Sequence, residues 1–112
     1  MSNKFSWIAV FSVDPNISKT FQDWMEEEHF QDLHETGHFE KKVKKIFQPG
    51  INNGEMDTIS YIHKPLSEES WKKYCENERD ELKKDFGKNW GSHFNDGTLK
   101  ALQVAGELVS LE

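Results

Sequence analysis

The stretch Phe5–Val13, FSWIAVFSV, alternates in two registers at once. Phe5, Trp7, Ala9, Phe11 and Val13 share one face of an extended strand, and Ser6, Ile8, Val10 and Ser12 share the other. Apolar side chains on both faces predict a central strand that needs cover from two sides. A sheet built around such a strand must find two separate layers to bury it.

The rest of the chain supplies one of those layers. Asp14-Pro15-Asn16 predicts a turn, and Ser18 a helix cap. Phe21, Trp24, Met25 and Leu33 then recur at helical spacing until Gly37. Phe39, Val43 and Phe47 alternate with lysines, a pattern that suits an edge strand because charge discourages stray pairing. Pro49-Gly50 and Asn52-Asn53-Gly54 predict a long hairpin connection into a third strand over Met56–His63. Pro65 stops that strand and Ser67 caps a second helix, with Trp71, Tyr74, Cys75, Leu82 and Phe86 as its apolar stripe. Gly87, Gly91 and Gly97 are expected to break up the next segment, leaving one short irregular helix at most. Thr98–Val109 gives the last strand, with Gly106 as a bulge.

The order is β-α-β-β-α-β, the split βαβ or ferredoxin-like arrangement of the α+β class. It predicts a four-stranded antiparallel sheet with two helices on one face. The other face carries Ile8 and Val10 and needs a cover; a second copy of the chain is the simplest candidate. Residues 1–110 are read as one domain, with Leu111 and Glu112 as a cloning scar.

Composition removes several functional classes. The net charge is −6 and Arg79 is the only arginine, a poor endowment for phosphate or base recognition, so no nucleic acid is expected. Cys75 stands alone, which excludes an internal disulfide and lacks the paired spacing of a cysteine zinc site. The N-terminus reads as a strand rather than a signal peptide, and no apolar run is long enough to span a bilayer. A cytoplasmic location and no membrane partner are expected.

Residues 34–38, HETGH, match the H-E-x-x-H signature of zinc peptidases. That chemistry needs both histidines on one unbroken helix, a third ligand and an open position for water. Gly37 stands where a helix-terminating glycine belongs, so His34 and His38 should diverge. A helix stop is the better reading, with a partly protonated His34 favouring the helix dipole. No metal and no cofactor are expected.

The run WMEEEHFQDLHETGHF, residues 24–39, resembles a family of small bacterial proteins whose domain has no assigned function. The shared positions are Trp24, Met25, His29, Asp32, Thr36, Gly37 and Phe39. The likeness continues through Ser60-Tyr61, Tyr74, Leu82 and Trp90-Gly91, nearly the whole chain. Phe30-Gln31 replaces an Ile-Pro frequent in that family, and the stretch between Trp90 and Thr98 is longer than usual. The resemblance implies a place in the dimeric α/β-barrel superfamily, where two ferredoxin-like sheets face each other. Relatives at that level include cofactor-independent monooxygenases and haem-dependent chlorite dismutases. The family itself brings no reaction.

Five residues form the candidate pocket. His29 lies four residues from both Met25 and Leu33, on the buried stripe of its helix, and Glu78 holds the matching position between Tyr74 and Leu82. The two are expected to approach each other between helices and sheet. Tyr61 and His63 share a strand face, which points either to the helices or to the partner sheet. Tyr74 completes the set. Each has a plain structural explanation as a satisfied core residue. His93 is expected to be solvated in a glycine-rich loop.

Two functions remain open. One is a homodimeric domain that binds a small molecule or is otherwise non-catalytic. The other is a cofactor-independent monooxygenase-like enzyme acting on a small apolar substrate, with His29 as acid or base and Glu78 tuning it. A haem enzyme is a weaker third, since the sequence has no haem-attachment motif.

Overall fold

The computed structural model describes residues 5–51, 55–103 and 108–110. The chain runs through β1 (Phe5–Val13), α1 (Pro15–Trp24), a single π-helical turn (Met25–His29), α2 (Phe30–Glu35), β2 (Lys44–Gln48) and β3 (Asp57–His63). It continues through α3 (Glu68–Asn77), α4 (Arg79–Asp96), β4 (Leu99–Gln103) and β5 (Val109–Ser110). The architecture is α+β, with a four-stranded antiparallel sheet in the order β2-β3-β1-β4 and β5 pairing with the start of β1.

β1 occupies the centre, as its two apolar faces require. Trp7, Ala9, Phe11 and Val13 are buried against the helical layer, while Ile8, Val10 and Ser12 are only half-buried on the opposite face. β3 follows the same rule. Its register sets Ile59, Tyr61 and His63 beside Phe11, Ala9 and Trp7, so Tyr61 and His63 point to the helices and not to the open face.

Phe21 and Met25 rest on Phe11, Ile59 and Tyr61, and Trp90 and Leu99 close the same cluster. A second cluster joins Trp7, Leu33, Phe39, Trp71 and Tyr74. Burial of each large apolar side chain contributes on the order of 1.5–3 kcal/mol.

Local rules explain the helix ends. Pro15 occupies the first turn, where a missing N–H costs nothing, and the Asp14 carboxylate accepts from Asn16 N at 2.8 Å. Asp14, not the expected Ser18, is therefore the cap; Ser18 is buried inside α1. Ser67 caps α3 as expected, accepting from Ser70 N at 3.0 Å. Gly37 ends the α2 segment in a left-handed conformation, φ +79°, and its N–H donates to His34 O.

Other expectations are corrected. The first helix is composite: the N–H of Phe30 donates to Met25 O, one residue further back than an α-helix allows. In an unbroken helix Phe30 would lie about 180° from Phe21 and face solvent. The extra residue of the wide turn rotates Phe30 and Leu33 onto the sheet, where both are buried.

The second helix breaks at Glu78, and α4 then runs straight through Gly87 and Gly91 to Gly97. Each glycine costs about 1 kcal/mol in a helix, but Leu82, Phe86 and Trp90 recur at four-residue spacing, and burying them outweighs that cost. The edge strand starts only at Lys44; Phe39 leaves the sheet for the second cluster and bridges to Pro65. The last strand is seen as β4 and β5. The expected turn at Asn52-Asn53-Gly54, the bulge at Gly106 and the terminal Leu111-Glu112 lie outside the described residues. A bulge within the described sheet falls instead between Val10 and Phe11. Among the described residues no helix is long and apolar enough to cross a membrane.

The wide turn yields a prediction. Deleting Glu27 converts it to ordinary α-helix without rotating α2, and is expected to change stability by less than about 1 kcal/mol. Deleting Gln31 turns Leu33 away from its cluster and is expected to cost roughly 3 kcal/mol or more. Urea unfolding followed by circular dichroism separates the two; equal losses refute the assigned role of the turn.

Candidate functional site

Between the helical layer and the sheet lies a cavity of about 280 Å³. Its floor is the row Trp7, Ala9 and Phe11 of β1. Ala9 is the small residue between two large ones, so the helices rest on the aromatics and leave space above the methyl group. Met25, His29 and Phe30 form one wall, and Tyr74, Arg79, Leu82 and Phe86 the other. Lys83, Gly87, Phe94 and Ala101, all exposed, mark the solvent end.

The wide turn shapes the histidine wall. Trp24 lies five residues before His29, and the two rings stack at 5.3 Å with a 24° interplanar angle. Phe86 meets the same imidazole edge-on at 5.8 Å. His29 is thus held in an aromatic sleeve with Nδ1 buried and without a hydrogen-bond partner. Burial pushes its pKa down to about 4, against a smaller opposing pull from Asp85 and Asp32.

His63 reaches the cavity from β3. Its ring lies 5.0 Å from Trp7 and meets Phe30 edge-on at 4.8 Å. Its Nδ1 is likewise buried and unpartnered. Burial pushes its pKa down to about 3, with the neighbouring His29 and His34 adding to the effect. Both imidazoles are therefore neutral at pH 7 and carry unused hydrogen-bonding capacity.

His29, His63 and Tyr74 meet around this one cavity. Burial raises the Tyr74 hydroxyl pKa far above its usual value, so it stays a neutral phenol. Tyr61 is separated from them by Phe30, whose ring stands edge-on to it at 4.7 Å. It lines a second, shallower cleft and donates to Glu26 at 3.2 Å. Lys45 binds the same carboxylate at 3.1 Å. Burial and the Glu26 charge both keep Tyr61 protonated.

Glu78 does not join His29. It sits half-buried at the break between α3 and α4, outside the cavity wall, and the carboxylates that act on His29 are Asp85 and Asp32. The helix break turns position 78 away and brings Arg79 inward instead. Sequence reasoning missed Arg79 as a cavity residue, weighing it only as the sole arginine of the chain. It also missed Phe30, Phe86 and Ala9 as cavity-forming groups. A one-residue slip of the apolar stripe between Met25 and Phe30 was the available signal for the wide turn.

The other histidines behave differently from expectation. Burial and Lys41 hold His34 below its usual pKa, which works against the partly protonated ring expected at this helix end. His93 is on α4, not in a loop, with Nδ1 3.0 Å from Thr98 Oγ1. His34 and His38 are separated by the left-handed Gly37. No group of His, Cys, Asp and Glu side chains suited to a metal ion occurs among the described residues.

Fold and site define a small α+β domain whose helical layer leaves an apolar, histidine-bearing cavity over its sheet. The chain belongs to the family described as Domain of unknown function (DUF4286), which matches residues 6–98. That span includes every cavity residue named above except Ala101. No curated protein and no solved structure matches the chain significantly.

The buried histidines fix a pH response. Their folded pKa values lie below the unfolded value of about 6.5, so below that pH the unfolded chain binds protons the folded chain refuses. Their contribution is complete above about pH 6.5 and is lost as pH falls toward 4, at about 1.4 kcal/mol per pH unit per histidine. Urea midpoints at pH 7 and pH 5 are expected to show this loss beyond the carboxylate background. The His29→Gln/His63→Gln variant should lack the excess; an unchanged slope would contradict the assignment.

Proposed function

We propose that this protein is a small-molecule-binding domain, and that its ligand occupies the cavity over Ala9. The observation that carries this reading is the cavity itself: about 280 Å³, walled by aromatic side chains, with two neutral imidazoles whose buried Nδ1 atoms lack hydrogen-bond partners. A well-packed core holds few voids larger than a water molecule, and buried polar atoms without partners are uncommon. A bound molecule with an apolar body and a polar group relieves both conditions. Tyr74 belongs to this site, while Tyr61 and Glu78 serve the surrounding structure.

The sheet order β2-β3-β1-β4 supports the ferredoxin-like reading, with the broken helices as variations on it. The homodimer reading is supported by the open face, where Ile8, Val10, Ile46 and Ile62 gather away from the helices and Ile46 is 43% exposed. Two such faces together form a dimeric α/β barrel. The lone, half-buried Cys75 suits a reducing, cytoplasmic setting.

The second reading is an enzyme, a cofactor-independent monooxygenase-like catalyst acting on a small apolar substrate in the same cavity. It is favoured by the π-helical turn, a feature frequent at functional sites, which presents His29 to the cavity. Against it stands the low basicity of His29, which weakens it as a general base near neutral pH.

Two measurements test these readings. Indole, a compact neutral probe, is expected to bind with one molecule per chain by calorimetry. Ala9→Leu fills the floor and should abolish binding while leaving the thermal transition unchanged or higher; binding by both proteins alike rejects the site. Sedimentation at micromolar concentration is expected to give twice the 13.1 kDa chain mass. Val10→Lys should give single chains, and a wild-type monomer ends the dimer reading.

A further inference from the structure

We propose that the ligand is an organic anion, a compact apolar body bearing one carboxylate, and that Arg79 receives the carboxylate. This inference rests on the cavity-binding reading above and adds the chemical class of the ligand.

The first observation is the sign of the walls. The chain holds 20 Asp and Glu residues and has a net charge of −6. The cavity wall nevertheless contains Arg79 and Lys83 and no Asp or Glu among the described residues. A cleft lined by one sign of charge between low-dielectric walls concentrates ligands of the other sign. Here that sign opposes the protein as a whole.

The second observation is the state of Arg79. It is the only arginine in the chain, and it is half-buried. Its guanidinium lies 5.4 Å from the Trp71 ring and 5.9 Å from the Trp7 ring, and Nη1 donates to Cys75 Sγ at 3.6 Å. These contacts restrain the guanidinium but use only a weak sulfur acceptor and two ring faces. Among the described residues no carboxylate pairs with it, and Lys83 is also without an ion pair. A guanidinium keeps its charge at any relevant pH and presents a planar fork of donors that matches a carboxylate. Held by indoles beside a cavity with its fork unfilled, it is pre-organised for an anion.

The third observation is size and distance. The volume lies just below the roughly 300–1,000 Å³ typical of drug-sized sites, so the apolar body is a single ring or a short chain. Trp7 contacts both Arg79 and His63, at 5.9 Å and 5.0 Å. An acid group on Arg79 therefore leaves the ring of an aryl acid over Trp7 and Ala9. Its far edge then faces the imidazoles of His29 and His63.

Calorimetry at pH 7.5 with phenylacetate and with its neutral isostere phenylacetamide tests the inference. The acid is expected to bind about tenfold or more tightly than the amide. Arg79→Met keeps the apolar stem and should bring the two affinities together, whereas Arg79→Lys should retain part of the preference. Should Arg79→Met fail to fold, the wild-type preference is expected to shrink as salt rises from 20 to 500 mM, as a charge-dependent contact requires. Equal affinities for acid and amide in the wild type overturn the inference. So does a preference untouched by Arg79→Met or, for an unfolded variant, by salt. Indole separates the two levels: indole binding without acid preference removes only the anion, while failure of indole, acid and amide alike removes the cavity reading with it.

Discussion

The helical layer depends on four side chains of β1. Trp7, Ala9, Phe11 and Val13 form a single row down the central strand, and both clusters of the core are built on it. Large residues at 7 and 11 hold the helices away from the strand, and the methyl group of Ala9 cannot fill the gap between them. The sheet neighbours of Ala9 do not fill it either, because Tyr61 on β3 leans toward Phe30 and Glu26. The cavity is thus a consequence of strand periodicity with one small residue in the row. Van der Waals contact is short-ranged, so a gap of this kind is a loss of cohesion.

The wide turn at Met25–His29 decides what surrounds that gap. A helix that crosses a sheet keeps one stripe inward only as long as its phase is kept. Phe21 and Met25 belong to one phase, and Phe30 and Leu33 to another that lags by one residue. The turn joins the two phases without ending the helix. It sets Trp24 against His29 and turns Phe30 into a wedge between His63 and Tyr61. The three consecutive glutamates of the turn are exposed, so the extra residue adds no buried charge.

The two central strands were legible in the sequence because period-two alternation survives in short segments, whereas the lysine-rich edge strand was read too long at its start. The edges of β1 and β3, the role of Gly37 and the cap at Ser67 follow from rules that act within a few residues. The helices were harder to read. Gly87 and Gly91 suggested a broken segment, yet the spacing of Leu82, Phe86 and Trp90 carried α4 through them; tertiary burial overrode local propensity. Glu78 was placed on a stripe that assumed one straight helix. A break at that very residue exchanged its direction with that of Arg79, and no local signal marks a break between Tyr74 and Leu82. His29, His63 and Tyr74 were each recognisable as ionisable groups at apolar positions. That they meet at one cavity, and that Tyr61 does not, is set by the Phe30 wedge.

The low pKa of the two histidines bears on what such a cavity is for. An imidazole held neutral by burial has surrendered basicity in exchange for an apolar surrounding. Proton abstraction near neutral pH asks for the opposite arrangement, usually a carboxylate placed to hold the charged ring. Among the described residues none is in contact: Asp85 and Asp32 act on His29 only at a distance, and His63 feels the other histidines instead. Neutral imidazoles retain one donor and one acceptor each, enough to orient a polar group without transferring its proton. In the proposed site the guanidinium of Arg79, on the opposite wall, is the stronger and more distant anchor. Positioning a small molecule by its two ends, as the proposed binding role requires of the residues around Ala9, needs no tuned base.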